Sequence, residues 1–199
     1  MLDSELITHN LCTQGFHIID DFLQSHIFNS LQNKAKKMYS EGLFRSAKIG
    51  LQLQANLNNT IRTDEICWLE DQTAEPSIQA YLNRTNELAN MLNQTLFLGL
   101  TEFETHFATY QPGAFYKKHI DQFKTTKTRR ISCVYYLNDF WESSYGGELL
   151  IYDKKETLLQ QVMPQGNRFI CFNSDLPHEV CITNQPRYSI TGWMKTRPF

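Results

Sequence analysis

The second half of the chain most restricts what it can fold into. From Phe103 onward the sequence runs in short alternating stretches rich in Phe, Tyr, Ile and Val, each closed by a turn signal. The pattern predicts strands over 103–110, 116–121, 130–137, 148–152, 158–163, 168–172, 179–182 and 188–194. Eight short strands with no helix between them call for a sandwich or barrel, and the jelly roll is the natural eight-strand solution. The first hundred residues read differently. Helical spacing runs over 4–13 and stops at Gly15, and a short strand follows over 16–19. Ser25 can cap a helix with the apolar stripe Ile27, Phe28, Leu31, Ala35 and Met38, ending at Gly42. Another helix follows Pro76, burying Ile78, Tyr81, Leu82, Leu88, Met91 and Leu92. Between them, residues 51–60 are polar, uncharged and aperiodic, which predicts a mobile surface loop. The expected fold is mainly β with flanking helices (α+β): a double-stranded β-helix, or jelly-roll, cupin-like core over 101–199, buttressed by helices from 1–100. With 199 residues, one domain is expected.

Composition removes several function classes. A net charge of −2 gives no field to hold a polyanion, so no nucleic-acid partner is expected. No apolar run approaches a membrane span, and the acids Asp3 and Glu5 stand where a signal peptide carries bases, so a cytoplasmic protein without membrane contact is expected. The five cysteines (Cys12, Cys67, Cys133, Cys171 and Cys181) are odd in number and contain no CxxC pair. They read as reduced thiols rather than a disulfide framework or structural zinc site.

Three short stretches carry the chemistry: His119-Ile120-Asp121, Pro177-His178-Glu179, and Arg187 nine positions later. On a strand, His119 and Asp121 at i, i+2 project from one face, as two ligands of one metal must. That spacing alone is weak. A second histidine at the end of another strand strengthens it, because two imidazoles and one carboxylate leave open positions on a metal, the non-heme Fe(II) oxygenase arrangement. Arg187, Ser189, Thr191 and Trp193 share a face of the last strand by period two. An arginine facing into a barrel needs an anion, and its planar fork suits a carboxylate. Ser132, Val134 and Tyr136 likewise share a face, so the Tyr136 phenol can reach the same carboxylate.

The motifs together resemble a known family. Tyr110-Gln-Pro-Gly-Ala-Phe-Tyr116-Lys-Lys-His119-Ile-Asp121, Arg129-Arg-Ile-Ser-Cys-Val-Tyr135-Tyr136-Leu-Asn138, Gly146-Gly147-Glu-Leu149, Pro177-His178-Glu-Val180 and Arg187-Tyr-Ser-Ile-Thr191-Gly-Trp193 resemble the Fe(II)/2-oxoglutarate-dependent prolyl hydroxylases. Within that superfamily the chain is most similar to the hypoxia-inducible-factor prolyl hydroxylases and their bacterial relatives. Upstream, Gln14-Gly15-Phe16 through Leu23, residues 42–50, and Ile61-Arg62-Thr-Asp64 through Glu70 match the same subgroup. The resemblance implies Fe(II) on His119, Asp121 and His178. It places the distal 2-oxoglutarate carboxylate on Arg187 and Tyr136, with Tyr110 near the metal-chelating end and Val134, Leu149, Val180 and Thr191 as pocket wall. Arg62, Trp68, Tyr116, Arg129 and Trp193 match positions that frame a target proline, expected in the groove between the loop 51–60, one strand carrying both Arg62 and Trp68, and the final strand with Trp193. The implied activity is hydroxylation of a prolyl residue, at the 4-position, of a protein substrate, with O₂ as co-substrate and 2-oxoglutarate converted to succinate and CO₂. L-ascorbate is a candidate reductant, and a monomer is expected. The segment 122–128 lacks the Pro- and Gly-rich turn of the animal enzymes, and the loop 51–60 has its own sequence, so substrate identity stays open.

Three alternatives remain at this level: the same oxygenase acting on another protein side chain or a small molecule, a zinc hydrolase or cupin-like metal module, and a binding-only sensor. Arg187 argues against the hydrolase, which has no use for a buried arginine nine residues past a ligand. The lysines and arginines at 117, 118, 124, 127, 129 and 130 raise the expectation of acidic residues beside the target proline.

Overall fold

The computed structural model describes residues 2–48, 57–69, 75–123 and 125–197. The helices are α1 (Ser4–Thr13), α2 (Ser25–Ser40) and α3 (Pro76–Leu96). The strands are β1 (Phe16–Ile19), β2 (Arg45–Ser46), β3 (Glu65–Trp68), β4 (Glu102–Tyr110), β5 (Tyr116–His119), β6 (Arg129–Tyr136), β7 (Leu149–Tyr152), β8 (Leu158–Val162), β9 (Phe169–Asn173), β10 (His178–Val180) and β11 (Arg187–Lys195). Among the described residues they form two antiparallel sheets. The larger has the order β1-β9-β6-β11-β4-β3-β2, the smaller β5-β10-β7-β8.

All eight strands expected in the second half are present, with ends shifted by at most two residues. Period two then deals their side chains to two cores. On β6, Ile131, Cys133 and Tyr135 join the apolar layer that also holds Ile7 and Leu11 of α1, Leu31 and Ala35 of α2, and Tyr81, Leu88 and Leu92 of α3. The intervening Val134 and Tyr136 face the other way, into a layer shared with Leu149, Ile151 and Val180 of the small sheet. The helices therefore back one face of the large sheet, and its other face closes on the small sheet, as expected of a buttressed jelly roll. Fully burying each such aliphatic side chain contributes about 1.5–3 kcal/mol.

Local details depart from expectation in three places. Ser25 is the first helical residue of α2 rather than its cap. Gln24 occupies the cap position with extended backbone and no side-chain bond, its carbonyl accepting from the Ile27 and Phe28 amides. The strand expected over 116–121 ends at His119, because the Gln122 amide turns away to the Ser174 carbonyl. Arg62 and Trp68 do not share a strand: Trp68 ends β3, whereas Arg62 makes an isolated bridge to Tyr116 of the opposite sheet. Residues 51–56 of the expected loop lie outside the described residues. None of the five cysteines forms a disulfide, and Cys133 and Cys171 are buried on β6 and β9. Among the described residues, no helix is long and apolar enough to cross a membrane.

Candidate functional site

Strand register brings the two histidines together. His178, first residue of β10, lies directly across from His119, last residue of β5, so their rings sit 4.2 Å apart. Asp121, just past β5, completes the group: one ligand atom from each of the three residues falls within 4.8 Å of the others. The imidazoles are oriented alike. Nδ1 of His119 bonds the Lys117 carbonyl at 2.8 Å, and Nδ1 of His178 bonds the Leu176 carbonyl at 2.9 Å. A carbonyl can only accept, so each Nδ1 carries the proton and each Nε2 lone pair is left for a metal. Those Nε2 atoms face the Asp121 carboxylate at 3.5 and 3.3 Å. Burial alone would raise the Asp121 pKa, but the two imidazoles outweigh it and hold the carboxyl well below its ordinary range. For His119, burial and the neighbouring His178 lower the pKa, which keeps its nitrogen a lone-pair donor. Tyr116 stacks on His119 at 3.6 Å, and Phe172 meets the His178 ring edgewise at 4.7 Å.

Arg187 opens β11 on the large sheet and is 1% exposed. Its Nε donates to the Gly147 carbonyl at 2.9 Å and Nη1 to the Ser189 hydroxyl at 3.4 Å, while its guanidinium lies over the rings of Tyr110 and Tyr136. Gly147 has φ +72°, and a Cβ there would press within 3.1 Å of the arginine side chain, so glycine is needed for this approach. No carboxylate among the described residues pairs with this buried cation. The Tyr136 phenol oxygen beside it is buried and has no hydrogen-bond partner. A buried guanidinium without an anion and an orphaned phenol are what a bound carboxylate would satisfy.

Triad and arginine line one cleft. Of the residues singled out in the sequence, Tyr110, Val134, Leu149, Val180 and Thr191 line it beside them, as do Arg62, Tyr116 and Trp193. Three lie outside the lining. Tyr136 packs against Arg187, whose guanidinium lies 5.0 Å from its ring centre; Arg129 stacks on Trp193, its guanidinium 3.4 Å from the ring centre; and half-exposed Trp68 is set edgewise against His106 at 4.8 Å. Sequence reading passed over Asp64, which takes Arg62 in a two-pronged ion pair at 2.7 and 2.6 Å, although the i, i+2 spacing of Arg62 and Asp64 was a signal. It also passed over His106, which lines the cleft and is pushed down to about pKa 3 by burial and by Arg62 and Arg129. Both arginines already face a carboxylate, Arg62 that of Asp64 and Arg129 that of Glu104 at 3.5 Å. The expected preference for acidic substrate residues therefore loses its basis at Arg129.

A jelly roll holding two histidines and an aspartate above a buried arginine defines the class: a non-heme iron oxygenase fold with an anchored carboxylate co-substrate. Comparison with known proteins agrees. The model of the 2OG-Fe(II) oxygenase superfamily matches residues 105–195. A Pseudomonas putida prolyl-4-hydroxylase structure is similar with a TM-score of 0.86 and 33% identity, covering 98% of this chain and 99% of that one. A Trichoplax adhaerens prolyl hydroxylase, solved with a hypoxia inducible factor oxygen degradation domain peptide fragment, is similar with a TM-score of 0.88 and 28% identity, covering 96% and 88%. Human Egl nine homolog 1 is 27% identical over 198 residues, covering 95% of this chain and 46% of that protein. The chain thus spans about half the length of the first curated relatives it matches. It belongs to the 2OG-Fe(II) oxygenase superfamily, whose cofactor set is Fe(II) and 2-oxoglutarate.

Proposed function

We propose that the protein is an Fe(II)- and 2-oxoglutarate-dependent dioxygenase that hydroxylates a prolyl residue, at the 4-position, of a protein substrate. The observation that carries the reading is the pairing, in one cleft, of the His119–Asp121–His178 cluster with a buried arginine that has no carboxylate partner among the described residues. His119, Asp121 and His178 would hold Fe(II). When bound, the metal supplies O₂ activation coupled to decarboxylation of 2-oxoglutarate to succinate and CO₂. The protein's part is binding, orientation and exclusion of water. Arg187 and Tyr136 would take the distal carboxylate, in a fork-to-fork contact completed by the orphaned phenol. Tyr110, Val134, Leu149, Val180 and Thr191 would wall the co-substrate. Tyr116 and Trp193 line the cleft and would border a proline ring, which is rigid and has no backbone donor. Arg62, Trp68 and Arg129 would frame the flanking peptide.

The prolyl substrate class is supported by similarity to the Pseudomonas putida and Trichoplax adhaerens enzymes over nearly the whole chain. L-ascorbate would serve as reductant. A cytoplasmic setting is supported by five cysteines that form no disulfide. The helices share one apolar core with the large sheet, which supports reading 1–199 as one domain. The test is an anaerobic pull-down with the iron replaced by an inert divalent metal, then mass spectrometry of captured proteins after turnover. Captured proteins should carry an extra oxygen on proline; oxidation confined to other side chains or free small molecules would overturn the prolyl assignment.

A further inference from the structure

Asp121 lies beyond the end of β5, so no strand ladder fixes its side chain. It is held instead by two buried serines. Ser132 Oγ donates to Asp121 Oδ2 at 2.7 Å, and Ser132 Oγ lies 2.9 Å from Ser174 Oγ. Ser132 and Ser174 are 2% and 1% exposed. A hydroxyl has one proton. Because Ser132 gives its proton to the carboxylate, Ser174 must be the donor between the serines, and the chain runs one way: Ser174 to Ser132 to Asp121.

Both serines sit on rigid supports. Ser132 is in β6, across from Trp193 on one side and Phe172 on the other. Ser174 follows β9. Its amide donates to the Arg130 carbonyl at 3.0 Å, and its carbonyl accepts from Gln122, next to Asp121, at 2.9 Å. The same residue thus ties down the backbone beside one member of the triad four positions before another, His178.

Resting on the metal-site reading above, we infer that Ser174 and Ser132 form a directional relay that reserves Asp121 Oδ2 and leaves Oδ1 as the single metal ligand, which makes Ser132 a positioning residue. With Oδ2 reserved, the aspartate cannot close on the metal with both oxygens. The open positions needed by a chelating co-substrate and O₂ are kept.

The test uses the full chain stripped of metal, with Co(II) alone as probe, titrated by calorimetry and by its d–d absorption. Ser132→Ala should raise the Co(II) Kd by about 10–100-fold, as loss of a partner behind a ligand does, and alter the d–d bands as the freed oxygen joins the metal. Ser174→Ala should raise it by about 2–10-fold, the worth of one neutral hydrogen bond. Ser132→Thr, which keeps the hydroxyl, should bind and absorb like the parent. Unaltered Co(II) affinity and spectrum in Ser132→Ala would overturn the relay. If that variant does not fold, unaltered binding in Ser174→Ala decides against it equally. Asp121→Ala separates the two readings: if it too binds Co(II) normally, the metal site itself is misplaced, whereas if it alone loses binding, only the relay fails.

Discussion

The two ends of the cleft are built on different principles. At the metal end every group is fixed by a directed bond: each histidine by a backbone carbonyl, Asp121 by Ser132, Arg187 by Gly147 and Ser189. What stays unsatisfied there, a guanidinium charge and a phenol, is what a dicarboxylate would complete. At the outer end, Arg62, Arg129, Trp68 and Trp193 are held by stacking and by ion pairs within the chain, and Trp68 is half exposed. The contrast separates two tasks. Chemistry common to the superfamily needs a preorganised, unfilled polar site. On the prolyl-hydroxylase reading proposed above, recognition of a protein substrate would use a surface whose charges are already balanced and whose shape does the selecting.

This comparison can be broken by removing the fixed groups. The largest effect is expected from His119→Ala, Asp121→Ala or His178→Ala: each should abolish 2-oxoglutarate turnover and weaken Co(II) binding beyond the roughly 100-fold that losing an outer partner can cost. Calorimetry on the metal-free protein checks this. Arg62→Ala comes next, because it strands Asp64, whose side chain is wholly buried. Stability to urea should fall by about 3 kcal/mol, and the double change Arg62→Met with Asp64→Leu should recover most of it. Arg187→Ala should raise the 2-oxoglutarate KM by about 10²-fold while Co(II) binding holds, since truncating one side of a buried charge pair costs about 2–5 kcal/mol. Tyr136→Phe removes only a neutral donor and should cost about 1 kcal/mol, a several-fold rise in the same KM. Equal effects of the last two changes would erase the distinction between anchor and auxiliary at the co-substrate end.

The same contrast explains what could be read from the sequence. Period-two alternation exposed the β-rich half, and it placed Arg187, Ser189, Thr191 and Trp193 on the inner face where they are found. The i, i+2 spacing of His119 and Asp121 held even though Asp121 lies past the strand end. The meeting of His119 with His178 was suggested by the place of His178 at the end of another strand and implied by the resemblance, but no local pattern fixes it, because it depends on a register between strands far apart in sequence. The outer end was read least well. Trp68 and Arg62 were expected on one strand and lie on separate segments, the local Arg62–Asp64 pair was passed over, and the Glu104 partner of Arg129 depends on the pairing of β4 and β6 to β11, which no local pattern reveals. Ser25 failed as a cap because the Gln24 backbone, not a side chain, organises the first turn of α2.

The central claim is that one cleft couples a metal triad to a carboxylate anchor for oxidative decarboxylation. It is tested most directly by proton NMR of 2-oxoglutarate incubated in air with the Fe(II)-loaded protein. Succinate should accumulate one for one with 2-oxoglutarate lost, stop when iron is chelated or oxygen removed, and become undetectable with Asp121→Ala. Unchanged 2-oxoglutarate beside protein shown to hold Fe(II), or succinate formed equally well by the Asp121→Ala variant, would contradict it.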